Sequence, residues 1–90
     1  MSKFTGKTAV ISGGAEGIGF SIAKALGDQK MNIVLTDINE ENLQKACLEL
    51  EENKVSVLPV VLDVAEEDQW EAVAQKALAR FGKIHMVVNN

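Results

Sequence analysis

The chain has 90 residues, so it can form one small domain at most. Its 47% hydrophobic and 24% charged residues are typical of a soluble globular α/β protein. One cysteine and one histidine exclude a disulfide framework and a Cys/His zinc site. The net charge of −4 provides no broad basic surface for nucleic acid, and no apolar run approaches the ~20 residues of a membrane span. The single thiol and the lack of an N-terminal secretory signal predict a cytoplasmic protein.

The predicted elements begin with a strand and a helix that are joined by glycines. Thr8–Ile11 is a short β-branched run, which is typical of a strand buried on both faces. A glycine-rich turn follows at residues 12–19, and the apolar spacing beyond it predicts an amphipathic helix that ends near residues 27–28. A second buried strand over residues 33–36 ends on Asp37.

The next predicted unit is a helix followed by an edge strand. Asn39 is the predicted N-cap of the helix, which closes in a turn at residues 52–54. The third strand covers residues 55–62 and ends on Asp63. Because Pro59 has no N–H to donate to a ladder, this strand is expected at an edge of the sheet or in an irregular part of its own.

A third helix and a fourth strand complete the predicted fold. The helix spans about residues 66–80 and is stopped by Gly82, and the strand covers residues 84–88. Strands that alternate with helices require a parallel sheet, and right-handed crossovers favour the strand order 3-2-1-4. The first two helices then lie on one face and the third on the other. This is the first half of a Rossmann-like doubly wound fold, with its ligand crevice at the C-terminal ends of strands 1 and 4.

The glycines after the first strand indicate a phosphate-binding turn. Gly13, Gly17 and Gly19 suit a sharp reversal that aims the positive end of the helix at a ligand, where a pyrophosphate fits. Gly14 is an additional glycine. The generic dinucleotide spacing G-x-G-x-x-G is not met because Ser12 occupies its first position, and no Lys-Ser or Lys-Thr follows to make a Walker A loop.

This turn closely resembles a family fingerprint. The run Ser12-Gly13-x-x-x-Gly17-Ile18-Gly19 is similar to the Thr-Gly-x-x-x-Gly-x-Gly pattern of the short-chain dehydrogenase/reductase family, with serine for threonine as the one departure. Further markers follow in family order at the ends of strands 2, 3 and 4, namely Asp37, Asp63-Val64 and Asn89-Asn90. The resemblance covers essentially all 90 residues.

The resemblance implies a cofactor site at the C-terminal ends of the strands. Its residues are Gly13, Glu16, Gly17, Ile18, Gly19, Asp37, Ile38, Asp63, Val64 and Asn90. The glycines would let the backbone approach the pyrophosphate, with the Ile18 N–H as a donor. Asp37 would accept hydrogen bonds from the adenosine ribose hydroxyls. Ile38 would pack against adenine, and Asp63 would accept from the adenine amino group with the Val64 main chain beside it.

The charges near the ribose predict which form of the cofactor is bound. A 2′-phosphate on NADP would lie near Asp37, and two anions in a partly buried site repel each other. Family members that prefer the phosphate often carry arginine or lysine just before the second glycine, where this chain has Glu16. Two acids and no base at the ribose edge therefore predict NAD in preference to NADP.

Structural alternatives remain open for the residues of the implied site. The glycines could only pack a helix tightly on a strand, and Asp37 could only start the following loop. Asp63 could cap the third helix. Asn90 would line the cofactor groove, and it is the last residue of the chain.

Three other side chains are expected to be structural. Cys47 lies on an apolar helical stripe and is predicted to be a small buried hydrophobe. His85 has no catalytic partner at a suggestive spacing. Asn89 is expected to brace the sheet.

Tyrosine is absent from the chain. The family uses a Tyr-x-x-x-Lys pair and a serine for hydride transfer between a nicotinamide and an alcohol or carbonyl carbon, and these normally follow the Asn-Asn-Ala-Gly segment. The resemblance thus implies no catalytic residue here, and no metal-binding residue is predicted. Residues 1–90 are expected to be the inactive cofactor-binding half of an NAD(H)-dependent, homo-oligomeric oxidoreductase that is truncated before its catalytic half. The alternatives are a non-catalytic NAD-binding or sensor module and a structural remnant that dimerises through strand 4.

Overall fold

Helices and strands alternate along the chain in the predicted order. The structure is a computed structural model that describes residues 3–61 and 67–89. Its elements in chain order are β1 (Thr8–Ile11), α1 (Gly17–Asp28), β2 (Asn32–Asp37), α2 (Glu40–Glu52), β3 (Val57–Val61), α3 (Glu67–Phe81) and β4 (Met86–Val88).

The strands form one parallel sheet in the order β3-β2-β1-β4. The predicted strand order and Rossmann-like fold class are therefore confirmed. Val10 in the central strand β1 lies opposite Val34 of β2 and Val87 of β4. Pro59 lies in β3 at the edge of the sheet, as its missing N–H predicted.

The two faces of the sheet are covered by different helices. Alternate side chains of β1 and β2 point to opposite faces because the side-chain period of a strand is two residues. One face packs with α1 and α2 in a cluster that includes Ala9, Ile11, Ile33, Leu35, Ala23, Leu43, Ala46, Cys47 and Leu50. The other face packs with α3 in a smaller cluster that includes Val10, Val34, Val60, Val73 and Ala77. This confirms the predicted placement of the three helices.

The face that packs with α3 is the less completely covered one. Val87 shares this face with Val10, yet it is 57% exposed. By contrast, Leu43 and Leu50 on the opposite face are fully buried. Two helices thus shield one side of the sheet more thoroughly than one helix shields the other.

The second helix begins and packs as its sequence predicts. The Asn39 side chain accepts a hydrogen bond from the Asn42 main-chain N–H at 2.9 Å, and acidic residues occupy the first turn. Cys47 is buried on the apolar stripe of this helix. Burial, and secondarily the Glu51 carboxylate, raises the pKa of the Cys47 thiol to about 11. Cys47 is therefore a buried hydrophobe with little thiolate character, as predicted.

Two strands begin later than predicted. The Val55 N–H donates to the Leu50 carbonyl at 3.0 Å, which extends the turn after α2, so β3 begins at Val57 instead of residue 55. Regular β4 pairing begins at Met86 instead of residue 84. The predicted third-strand end at residues 62–63 and the first residue of the third helix lie outside the described residues.

His85 joins the beginnings of two neighbouring strands. Its Nδ1 atom accepts the Thr8 main-chain N–H at 3.0 Å, and its own main-chain N–H donates to the Thr8 carbonyl at 2.9 Å. Thr8 is buried at the first residue of β1. The structure thus confirms a structural role for His85. It lies at the N-terminal ends of the strands, whereas the glycine turn lies at their C-terminal ends.

Candidate functional site

The turn between β1 and α1 reverses the chain with the help of two glycines in the left-handed region. Gly13 and Gly17 both have φ of +59°. Around Gly17, a Cβ atom would meet nothing within 4 Å, so the backbone conformation and not the available space requires glycine there. Gly19 is buried inside the first turn of α1. These positions bring the start of α1 directly to the C-terminal end of β1.

Gly14 has a packing role that the sequence did not identify. A Cβ atom there would lie 2.9 Å from Leu35 Cγ and 3.3 Å from the Ile11 carbonyl oxygen. The Gly14 N–H also donates to the Thr36 carbonyl at 3.0 Å. The turn therefore lies directly on the end of β2, and only glycine allows this close approach.

The N-terminus of α1 is open at this edge of the sheet. The first N–H groups of a helix have no acceptor within the helix, and together they form its positive dipole end. Glu16 is the N-cap residue, and its side chain makes no capping hydrogen bond to α1. Ile18 follows with 71% of its surface exposed. The arrangement provides main-chain hydrogen-bond donors for an anion. The apolar side chain of Ile18 lies beside these donors.

The Asp37 carboxylate lies beside the glycine turn. Its Oδ2 accepts the Ala15 N–H at 3.2 Å, and its Oδ1 accepts the Asn39 N–H at 3.0 Å. Both oxygens retain a further lone pair that can accept from a ligand hydroxyl. Ile38 follows immediately and is 69% exposed. An acceptor pair and an apolar surface thus adjoin the main-chain donors of the turn.

Ser12 connects the ends of β1 and β4. Its N–H donates to the Val88 carbonyl at 3.0 Å, and its hydroxyl donates to Asn89 Oδ1 at 3.1 Å. The predicted bracing role of Asn89 is therefore confirmed. Of the ten residues of the implied site, Asp63, Val64 and Asn90 lie outside the described residues. The cofactor-binding roles of all ten residues stay predictions.

A cleft of about 230 Å³ lies beside the turn, between α1 and α2. Its lining residues are Ala15, Glu16, Phe20, Asn42, Lys45, Ala46 and Glu49. Glu16 Oε1 accepts a hydrogen bond from Asn42 Nδ2 across this α1–α2 cleft. The sequence predicted two acids and no base at the ribose edge. The structure adds a base, because Lys45 also lines the cleft, with its Nζ 4.0 Å from Glu41 Oε1. Glu16 and Glu49 nevertheless outnumber Lys45, so the lining carries net negative charge.

The fold and this turn together define a Rossmann-like dinucleotide-binding class of domain. A family model described as short chain dehydrogenase matches residues 7–90. The chain therefore belongs to the short chain dehydrogenase family, which confirms the resemblance seen in its glycine turn.

Individual relatives agree with this assignment. The chain is 41% identical over 97 aligned residues to a 12alpha-hydroxysteroid dehydrogenase from Clostridium sp., with all of this chain and 38% of that protein covered. Two solved structures match with a TM-score of 0.92, 36% identity and 97% of this chain covered. One is a short chain dehydrogenase/reductase from Burkholderia phymatum in complex with NAD, of which 31% is covered. The other is L-sorbose reductase from Gluconobacter frateurii with NADPH and L-sorbose, of which 34% is covered.

The chain spans only about a third of the length of these relatives. Across residues 3–61 and 67–89, none of the helices has both the length and the apolar character needed to cross a bilayer.

Proposed function

We propose that this chain is the cofactor-binding part of an NAD(H)-dependent oxidoreductase that transfers hydride between the nicotinamide and an alcohol or carbonyl carbon. The observation that carries the proposal is the position of the Asp37 carboxylate, 3.2 Å from the Ala15 N–H of the glycine turn. An acceptor for ribose hydroxyls and main-chain donors for a pyrophosphate are thereby held side by side.

The described residues fit a dinucleotide in their chemistry. The N-terminus of α1 would hold the pyrophosphate, with the Ile18 N–H as one donor. Asp37 would accept from the adenosine ribose, and the exposed Ile38 side chain would cover one side of the adenine. The predicted contributions of Asp63, Val64 and Asn90 complete this proposed site. The bound nicotinamide would supply the hydride acceptor or donor, and the residues of this chain would bind and orient it.

The charge of the site favours NAD over NADP. A 2′-phosphate would be placed next to the Asp37 carboxylate and near Glu16. Two unit charges ~4 Å apart repel by about 4 kcal/mol at an effective dielectric constant of ~20. The relatives include both an NAD complex and an NADPH complex, so the preference proposed here depends on the acids of this chain.

The proton-transfer groups of the reaction are proposed to lie outside these 90 residues. The chain contains no tyrosine and covers about a third of its relatives. Residues 1–90 alone are therefore expected to show no turnover.

A titration of NAD and NADP into the complete purified protein tests the proposal. We expect NAD to bind at least about tenfold more tightly than NADP. Asp37→Asn should reduce that ratio, because it removes the charge but keeps one acceptor oxygen. The matched control is Asp28→Asn at the exposed far end of α1. Equal affinities for the two cofactors, or an equal effect of both substitutions, would overturn the preference.

A second candidate is an NAD-binding module without turnover, and the absence of tyrosine favours it. Hydride transfer by the complete protein separates the two candidates. Change in NADH absorbance with a panel of alcohols and ketones supports the enzyme, whereas tight NAD binding with no turnover across the panel supports the module.

A further inference from the structure

The Glu16 side chain turns away from the helix that it precedes. Glu16 is the N-cap residue of α1 with an extended backbone, at φ −143° and ψ 164°. Ser, Thr, Asp and Asn at this position commonly accept an N–H from the first turn of their own helix, and a glutamate carboxylate offers the same kind of acceptor on a longer side chain. In this structure it caps nothing in α1, and Glu16 Oε1 accepts from Asn42 Nδ2 in α2, 26 residues further along the chain.

Asn42 is itself held firmly in the first turn of α2. Its main-chain N–H donates to Asn39 Oδ1 at 2.9 Å, and the Asn39 N–H donates to Asp37 Oδ1 at 3.0 Å. Hydrogen bonds therefore run from Asp37 through Asn39 and Asn42 to Glu16. The main chain of Asn42 is therefore held near the same carboxylate that adjoins the glycine turn.

The direction of Glu16 matters because a carboxylate and a pyrophosphate would compete for the same donors. The N-terminal N–H groups and positive dipole end of α1 attract any nearby anion. A carboxylate on the N-cap residue is covalently tethered next to those donors, so its local concentration is high.

We propose that Asn42 is a positioning residue that holds the Glu16 carboxylate away from the N-terminus of α1 and so keeps the phosphate-binding donors open. This rests on the proposed function, since the anion is the pyrophosphate of the proposed cofactor. Without Asn42, Glu16 caps its own helix and has to be displaced whenever the cofactor binds. Because the cofactor then has to displace this capping interaction, its affinity for the protein is about fivefold weaker.

A purely structural role for the same hydrogen bond predicts a different result. The bond also joins α1 to α2, alongside the ion pair between Lys24 and Glu49 at 3.7 Å. If joining the helices were its only role, removal of Asn42 or of Glu16 would change NAD affinity equally. Removal of Glu16 in addition to Asn42 would then restore no affinity. Rescue by a second deletion distinguishes the two roles.

The test is a double-mutant cycle on the complete protein, with the dissociation constant for NAD and the melting temperature measured for each variant. Asn42→Ala is expected to raise the dissociation constant about fivefold. Glu16→Ala combined with Asn42→Ala is expected to return it to within about twofold of Glu16→Ala alone. If Asn42→Ala fails to fold, Asn42→Ser is used, because its side chain is too short to reach Glu16.

Asn53→Ala is the matched control. Asn53 lies at the other end of α2, where its amide donates to the Glu49 carbonyl at 3.0 Å, so its loss also removes a side-chain hydrogen bond of this helix. It should leave NAD affinity unchanged. An unchanged dissociation constant for Asn42→Ala, or a double variant as weak as Asn42→Ala, overturns the positioning role while the proposed function stands. If the wild-type protein binds no NAD, the proposed function fails and this inference fails with it.

Discussion

Asp37 Oδ2 accepts the main-chain N–H of Ala15 at 3.2 Å, which joins the end of β2 to the turn after β1. Parallel strands that are neighbours in a sheet end at the same edge, so residues 22 positions apart in the chain become adjacent. The same carboxylate accepts the Asn39 N–H through its other oxygen. Asp37 therefore links the glycine turn to the loop before α2 at the C-terminal ends of the strands before any ligand binds.

Asp37 substitutions should reduce stability in a graded order without ligand. Asp37→Ala removes both accepted hydrogen bonds and is expected to lower the free energy of unfolding by about 2 kcal/mol. Asp37→Asn keeps one acceptor oxygen and should lose about half as much. Urea unfolding of the ligand-free protein measures both values. Equal stability of all three proteins would show that the carboxylate has no structural role.

Gly14→Ala should destabilise the protein through a clash with Leu35. Because Leu35 is fully buried and the added Cβ lies 2.9 Å from its Cγ, we expect a loss of about 1–3 kcal/mol. The same substitution in a Leu35→Ala background should cost clearly less, since the smaller side chain leaves room. A thermal or urea cycle over the four proteins measures this coupling, and additive effects would exclude the clash.

Ser12 and Asn89 should be energetically coupled. Ser12→Ala removes the hydroxyl that donates to Asn89 Oδ1 at 3.1 Å, and it should lower the free energy of unfolding by about 1 kcal/mol. In an Asn89→Ala background, Ser12→Ala is expected to cost less, because the Asn89 acceptor has already gone and the hydroxyl keeps the more distant Val88 carbonyl at 3.4 Å. A double-mutant cycle in urea gives the coupling energy, and a value near zero would contradict the bracing role.

The stability of the protein should fall at high pH through Cys47. The pKa of this thiol rises from its ordinary value of 9.0 to about 11 in the folded chain, so the folded state holds the proton more tightly than the unfolded state. The contribution of the protonated thiol to the free energy of unfolding is complete below pH 9. It is lost as the pH rises from 9 to about 11, by about 1.4 kcal/mol per pH unit.

Comparison with Cys47→Ala isolates this effect from the lysines that titrate in the same range. The difference in unfolding free energy between the wild type and the variant should be constant from pH 7 to about pH 9 and then shrink. Urea unfolding at a series of pH values measures it. A difference that stays constant up to pH 11 would show that the thiol titrates normally.

His85→Ala should weaken the protein without affecting cofactor binding. The substitution leaves the buried Thr8 N–H without its acceptor at 3.0 Å, which is expected to cost about 1–2 kcal/mol. His85 lies at the N-terminal edge of the sheet, so the dissociation constant for NAD should not change. Loss of NAD affinity in a variant that remains folded at the assay temperature would contradict this separation of the two edges.

Much of the fold could be predicted because it follows from short-range patterns. The alternation of β-branched runs and amphipathic stripes identified the elements, and crossover handedness then restricted the strand order. Pro59 predicted an edge strand through a missing donor, which is a property of one residue. The positions of Asp37 and Asn89 at strand ends likewise predicted that both would lie at one edge.

The contacts that could not be predicted depend on how separate elements pack. Gly14 is needed because of where the Leu35 side chain lies on the neighbouring strand. The hydrogen bond from Asn42 to Glu16 depends on the packing of α1 against α2, and nothing in the local sequence of either helix indicates it.

The unequal covering of the two faces of the sheet has a consequence for how the molecule opens. Water has easier access to the side of the sheet where Val87 is exposed than to the side covered by α1 and α2. In residues 1–90 alone, amide protons of β4, which pairs with β1 alone among the described strands, should therefore exchange with deuterium first. Those of β1 and β2, the two inner strands, should exchange last. The order of exchange would therefore run from the less covered edge of the sheet to its buried centre.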